Sequence, residues 1–230
     1  MAIGSVIAAI ALSGGASCAH VFESAVIASL GPRIVKSRKL QDEHWPEHLV
    51  RLANAACLTQ NPDIIWQLAS VESGFRFVLA RTNNHNAPVI DEGKKAIKRA
   101  TKIGRFDPSI KLRDRPNVDL GVMQLNWRYH ADVIEHPMMA LSPEGAVSIV
   151  SSQVIKEKLI LCGEKRWLGC YHNANPIIMT KYERLVEFSR QKLVISLKKA
   201  FPLVLAALVG RHDNQSIGKV LATPLAKTNE

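Results

Sequence analysis

The sequence has no long run of alternating apolar and polar residues and no internal repeat, so little in it predicts a β-sheet or a repeat architecture. It also lacks zinc-finger spacing, the aromatic signature of RNA-binding domains and a basic coiled coil. The spacing of its cysteines and histidines is not that of a structural zinc site. We therefore expect neither a metal nor another cofactor.

What the chain does contain is helical periodicity. Its 230 residues are 47% hydrophobic and 22% charged, which allows one domain with a sizeable core. Apolar residues recur at helical spacing, so we predict an all-α fold with a single domain. The formal charge of +10 favours an anionic partner such as nucleic acid, an acidic membrane surface or an acidic cell-wall polymer. Because only the charge supports the first of these, we expect no nucleic-acid partner.

Four segments are predicted along the chain. Residues 1–19 carry no charge and end in Ser17-Cys18-Ala19, a pattern typical of a secretory signal cleaved after Ala19. A lipid attachment at Cys18 is disfavoured, because Gly15 stands where a larger apolar residue is usual. An uncleaved membrane anchor is the second alternative. We predict a linker over residues 20–44, the main domain over 45–195, and a helical or disordered C-terminal extension over 196–230.

The cysteines indicate how an exported chain would be cross-linked. Removal of the signal would leave Cys57, Cys162 and Cys170. In an oxidising compartment three cysteines allow one disulfide and one free thiol. The sequence does not say which two of them pair.

Glu72 is the strongest candidate for a functional residue. A helix is predicted to begin at Pro62, with Asn61 as its N-cap and Gly74 as its stop signal. The apolar face of this helix starts at Ile65 and includes Glu72. Partial burial and the negative end of the helix dipole both favour the uncharged carboxylic acid, the form that a general acid needs. A solvated or ion-paired surface residue is the plainer alternative.

Further helices are predicted over Trp45–Cys57, after Ser142-Pro143, over residues 165–172 and after Pro176. Between them, residues 94–115 are strongly basic, and we expect a solvated helix followed by an exposed loop. If this basic stretch borders a binding cleft, it would attract the carboxylates of an acidic substrate.

Three short blocks occur in a characteristic order: Glu72-Ser73-Gly74, then Gly121-Val122-Met123-Gln124, then Cys170-Tyr171-His172. In their order, spacing and helical context they resemble the soluble lytic murein transglycosylase family, whose catalytic domain is related to goose-type lysozyme. The resemblance covers about residues 45–193. It implies an all-α, lysozyme-like fold, with residues 45–195 as the catalytic domain.

The resemblance implies that Glu72 is the sole catalytic acid and base. It would cleave the β-1,4 bond between N-acetylmuramic acid and N-acetylglucosamine and leave a 1,6-anhydro ring on the muramyl end. The expected partners are peptidoglycan glycan strands in the periplasm or envelope of a bacterium. A secretion, conjugation or flagellar assembly is a further candidate partner, and membrane contact stays open.

The family's first two blocks imply roles for four more residues. Ser73 would orient the acetamido group of the substrate or the catalytic carboxyl, or would simply cap the helix. Gly121 would let the backbone approach the saccharide or turn tightly. Met123 would pack beside the bound sugar, although core packing is the stronger alternative. Gln124 would hydrogen-bond the glycan in the cleft.

The third block departs from the family pattern. Tyr171 matches the tyrosine that supports the acid and the sugar, with core filling as the alternative. His172 stands where the family has asparagine, so either His172 or Asn173 would take that role.

Two other functions remain open. Asp119, two residues before Gly121, could hold a water as the second carboxylate of a hydrolytic muramidase, or could cap a loop. Alternatively, the chain would be a non-catalytic murein-binding assembly factor.

Overall fold

The computed structural model describes residues 5–83, 87–107 and 109–202. These residues form mainly helices. The helices are α1 (Val6–Gly14), α2 (Cys18–Gln41), α3 (Trp45–Cys57), α4 (Pro62–Glu72), α5 (Lys94–Ile103), α6 (Trp127–His130), α7 (Pro137–Leu141), α8 (Pro143–Ile149), α9 (Ile155–Cys162), α10 (Trp167–His172) and α11 (Pro176–Ala200). A π-helical turn, Val150–Val154, joins α8 to α9, and a 3-10 turn spans Leu112–Asp114.

A small antiparallel sheet accompanies the helices. Its strands are β1 (Leu79–Thr82), β2 (Val89–Glu92), β3 (Val118–Leu120) and β4 (Leu125–Asn126), in the order β2-β1-β3-β4. The predominantly helical class is confirmed, but the sheet was not predicted. Strands of two to four residues are too short to show alternation in a sequence.

Helix α4 lies at the centre of the core. It contacts α1, α2, α3 and α11, and its side chains Ile65, Trp66 and Leu68 are at most 1% exposed. Each such burial contributes roughly 1.5–3 kcal/mol relative to exposure. Packing on several sides fixes the end of this helix, where Glu72 stands.

The N-terminal segment is packed into the same core. Val6, Ile7 and Ile10 of α1 are buried. The carboxylate of Asp63 in α4 accepts hydrogen bonds from the Ser5 hydroxyl at 2.7 Å and from the backbone N–H groups of Val6 and Ile7 at 2.7 and 3.1 Å. Removal of residues 1–19 would take these contacts away. Cleavage at the predicted position stays a prediction.

Residues 20–44 differ from the predicted linker. Most of them belong to α2, which packs on α3 and α11. The helix is kinked where Gly31 adopts a positive φ of 74° and is followed by Pro32. The sequence contains little periodicity here, because the partly buried face is short and the kink interrupts it.

The cysteines also differ from the expected single disulfide with one free thiol. All four are paired, Cys18 with Cys57 and Cys162 with Cys170. The expectation omitted Cys18, which begins α2 and lies next to the end of α3. The first disulfide therefore joins the N-terminal helices to the main domain.

The C-terminal boundary lies further along than predicted. Helix α11 continues to Ala200, and Ser196 and Leu197 are buried beyond the expected boundary at residue 195. The rest of the predicted extension, residues 203–230, lies outside the described residues.

Within the described ranges, no helix combines the length and hydrophobicity that crossing a bilayer requires.

Candidate functional site

Helix α4 begins and ends close to where the sequence predicts. Asn61 is the N-cap residue and Pro62 the first helical residue, although the Asn61 side chain makes no capping hydrogen bond. The helix ends at Glu72, and Gly74 follows with a φ of 59°. The positive φ explains the stop signal, because glycine adopts it without steric cost.

The turn after Glu72 is held by two tryptophans. Phe75 also has a positive φ, 61°, which is uncommon for a residue with a large side chain. Its carbonyl accepts a hydrogen bond from the Trp45 indole at 2.9 Å, and its buried ring packs edge-on against Trp66. These contacts hold the unusual backbone of the turn that follows Glu72.

Two side chains hold one oxygen of the Glu72 carboxyl. The hydroxyl of Tyr182 donates a 2.5 Å hydrogen bond to Oε1, and Nδ1 of His172 lies 3.8 Å from the same oxygen. The rings of His172 and Tyr182 stack with centroids 5.0 Å apart. Glu72 is only 9% exposed, and no described residue donates a hydrogen bond to its Oε2. One oxygen is thus anchored while the other is available to a ligand.

Both side chains that contact Glu72, those of Tyr182 and His172, have raised pKa values. Burial, with the nearby charge of Glu72, raises the pKa of Tyr182 well above its usual value, so this hydroxyl stays a donor. The nearby carboxylate of Glu72 raises the pKa of His172, and the charge of Asp119 adds to the rise. At neutral pH the imidazole therefore carries more positive charge than an isolated histidine.

Tyr171 supports this arrangement indirectly. Its hydroxyl donates to the backbone carbonyl of Met123 at 2.9 Å, and its ring stacks on Tyr182. Burial raises the pKa of Tyr171 well above its usual value, so it too remains protonated. Tyr171 therefore links α10 to the turn that precedes β4, and its ring supports Tyr182, which holds Glu72.

A groove of about 520 Å³ opens in front of the Glu72 carboxyl. Of the nine site residues predicted from the sequence, six line it, namely Glu72, Asp119, Gln124, Tyr171, His172 and Asn173. The structure thus brings together residues from α4, β3, α10 and the turn before β4. The other three predicted residues lie outside the groove lining.

Those three residues have structural roles. Ser73 is buried, and its hydroxyl donates to the Ala69 carbonyl at 3.2 Å, which caps the helix. Met123 is fully buried in the core. Gly121 has a φ of 69°, and a Cβ there would lie 1.8 Å from the carbonyl oxygen of Ala140. Gly121 therefore permits a tight turn and the approach of α7, not of a sugar.

Gln124 occupies a constrained position in the groove. It has a φ of 47°, and its side-chain amide donates to the Gly121 carbonyl at 2.8 Å. The same turn is closed by the backbone hydrogen bond from Gln124 to Gly121. One N–H of the Gln124 side-chain amide is thus engaged in the turn, and its other N–H and its oxygen are left for a ligand.

Asp119 is held by amides from neighbouring segments. Its two oxygens accept hydrogen bonds from the side-chain amides of Asn83 at 2.7 Å and Asn126 at 2.6 Å. Asp119 lies in β3 between Arg81 of β1 and Asn126 of β4 in the sheet register. The alternative of a loop-capping aspartate is wrong, because its partners are side chains on or beside adjacent strands.

Comparison of the chain with models of known protein families, with curated proteins and with solved structures finds no match. The family resemblance therefore rests on the three sequence blocks.

No group of acidic, histidine or cysteine side chains suited to a metal ion occurs in the described part of the chain.

Sequence reasoning missed the residue closest to Glu72. Tyr182 lies within the helix predicted after Pro176, and no role was assigned to it. Its hydroxyl on an otherwise buried face was the available signal, because buried tyrosine hydroxyls usually have a hydrogen-bond partner. Asn83 and Asn126 gave no such signal, since their roles depend on a sheet that the sequence does not reveal.

Proposed function

We propose that this protein is a lytic transglycosylase of peptidoglycan with a lysozyme-like fold. The observation that carries the proposal is the way in which the two oxygens of the Glu72 carboxyl are held at the groove. Its Oε1 is held by Tyr182, while Oε2 has no hydrogen-bond donor among the described residues. A largely buried acid that is held in place at a groove is suited to protonating a glycosidic oxygen.

In the first step, Glu72 gives its proton to the oxygen between N-acetylmuramic acid and N-acetylglucosamine. The bond from that oxygen to C1 of the muramyl residue breaks, and the N-acetylglucosamine end leaves with a free hydroxyl. The carbonyl oxygen of the muramyl acetamido group stabilises the electron-poor C1. The carboxylate formed on Glu72 is stabilised by the Tyr182 hydroxyl and by the positive charge on His172.

In the second step, Glu72 acts as the base. It takes the proton from the muramyl 6-hydroxyl, whose oxygen attacks C1 of the same sugar. This closes the 1,6-anhydro ring, ends the stabilising contact between the acetamido oxygen and C1, and restores the neutral acid. No water is consumed, so a single carboxyl group is sufficient.

A hydrolytic muramidase is the second candidate, since Asp119 lines the same groove as Glu72. A second carboxylate could activate a water that attacks C1 directly. Against this role, both oxygens of Asp119 already accept hydrogen bonds from Asn83 and Asn126. We therefore place Asp119 among the residues that shape the groove.

Digestion of purified murein sacculi tests the proposal. Mass analysis of the released fragments should find 1,6-anhydromuramyl ends, which are lighter by one water than reducing ends. Reducing ends would instead establish the muramidase. If the protein binds sacculi but releases no fragment, the alternative of a non-catalytic murein-binding assembly factor would be supported.

We propose export to the periplasm or cell envelope, where this substrate lies.

A further inference from the structure

A second cavity continues the groove beyond the sheet. It has a volume of about 660 Å³ and meets the groove at Asn83 and Asn117, which line both. The backbone N–H of Asn83 donates to the Asn117 carbonyl at 2.9 Å, and the Asn117 side chain accepts from Asn126 at 2.8 Å. A ligand in the groove can therefore extend past these amides into the second cavity.

The second cavity is more positively charged than the groove. Arg99, Lys102 and Arg128 line it, and none of its lining residues is acidic. In the groove, by contrast, the carboxylates of Glu72 and Asp119 are balanced by the cations of Arg81 and Lys158. The second cavity thus favours an anion, and the groove favours an uncharged chain.

Two of these cations are available to a ligand. Arg99 is paired with Asp91 at 2.9 Å, but neither Lys102 nor Arg128 has a carboxylate partner among the described residues. Arg128 is held in place because its Nε donates to the backbone carbonyl of Arg115 at 2.9 Å. Its terminal guanidinium nitrogens remain as donors for a carboxylate.

Apolar side chains form the rest of the wall. Phe106 is 42% exposed at the cavity, and Ile103, Pro116 and Val118 lie beside it. The hydroxyl of Thr82, also in the lining, has no hydrogen-bond partner among the described residues. Such a wall suits a ligand that carries aliphatic groups and polar groups together with a carboxylate.

We propose that the second cavity binds the carboxylate-bearing peptide branch of the glycan that lies in the groove. This inference rests on the proposed function, since murein glycan carries short peptides with free carboxylates and small aliphatic side chains on its muramyl residues. The sugar backbone itself is uncharged apart from these branches. Lys102 and Arg128 contact the peptide carboxylates, and the apolar wall contacts its aliphatic groups.

Binding of the peptide alone tests the cavity without any cleavage. The probe is the peptide branch released from purified murein by an amidase, titrated against the full chain by NMR or calorimetry. The double variant Lys102→Gln/Arg128→Gln should bind it about three- to tenfold more weakly, the size expected for two exposed charge contacts. Added salt should reduce the wild-type affinity.

The matched control is Lys95→Gln/Lys98→Gln, which removes the same charge from exposed positions of α5 outside the cavity. This control should bind the peptide as the wild type does. Equal losses in both double variants would show a general charge effect and overturn the proposal. Failure of the wild type to bind the peptide would also overturn it.

Cleavage adds a second measurement. Wild-type protein should cleave glycan strands with intact peptides more efficiently than strands stripped by the amidase, and the Lys102→Gln/Arg128→Gln variant should lose most of this preference. Equal cleavage of the two substrates by the wild type would overturn the proposal. If neither substrate is cleaved while the peptide binds as described, the proposed reaction fails and the peptide site stands.

Discussion

The hydroxyl of Tyr182 donates a 2.5 Å hydrogen bond to Oε1 of Glu72, although the two residues are 110 positions apart in the chain. The contact exists because α11 packs along α4 and brings its polar side chain to the end of that helix. It fixes the carboxyl of the proposed catalytic acid with one oxygen toward the groove.

Replacing Tyr182 by Phe should lower the rate of cleavage without removing substrate binding. The ring would stay, but the acid would lose its fixed position, which we expect to reduce kcat by roughly 10- to 100-fold with little change in KM. Steady-state kinetics on soluble glycan strands measure both parameters. A variant with unchanged kcat would show that the hydrogen bond has only a structural role.

Replacing Glu72 by Gln should abolish cleavage and leave murein binding intact. Glutamine has nearly the same shape but can neither give nor take the proton, and the loss should reach at least about 10²–10⁴-fold. Fragment release and co-sedimentation with sacculi measure the two properties. The matched variant Asp119→Asn should retain measurable cleavage with anhydro products. Cleavage by the Glu72→Gln protein would remove this residue from the mechanism.

Replacing His172 by Asn should change how stability depends on pH. The pKa of His172 is raised in the folded protein, chiefly by its ion pair with Glu72. The stabilisation from its positive charge is therefore fully present below the unfolded value of about 6.5 and is lost as the pH rises through the raised pKa. Urea unfolding at a series of pH values should show that the wild type has the larger free energy of unfolding, and that its difference from the variant shrinks in alkaline solution. A difference that does not vary with pH would contradict the charge interaction.

Replacing Cys18 by Ser should destabilise the full-length chain. The Cys18–Cys57 disulfide closes a sequence separation of 39 residues and ties the N-terminal helices to α3, and loss of a native disulfide typically costs about 2–5 kcal/mol. Urea unfolding measures the change, and Cys57→Ser should give a similar loss. In the double variant the two losses should not add.

The same disulfide offers a check on the predicted cleavage after Ala19. Mass analysis and thiol titration of the exported protein decide between two forms. Retention of residues 1–19 leaves two disulfides and no thiol, whereas cleavage leaves Cys57 unpaired. Removal would also leave the carboxylate of Asp63 without the hydrogen bonds that it accepts from residues 5–7.

Local signals in the sequence located several features correctly. Helices α3, α4 and α11 begin where the sequence places them, and Gly74 ends α4. Such features depend on periodicity, proline and a positive φ, all of which act within one or two turns of the chain. The sheet and α2 were missed, since short strands and a kinked helix carry weak local patterns.

By itself the sequence determined the helical class and the placement of Glu72 at the end of a mostly buried helix, because these follow from local backbone preference and the spacing of apolar residues. Only the tertiary structure decided which predicted residues reach the groove. It placed Ser73 and Met123 in structural roles, paired Cys18 with Cys57 and brought Tyr182 to the acid. The physical reason is that such contacts depend on how distant helices pack, and no local preference encodes that packing.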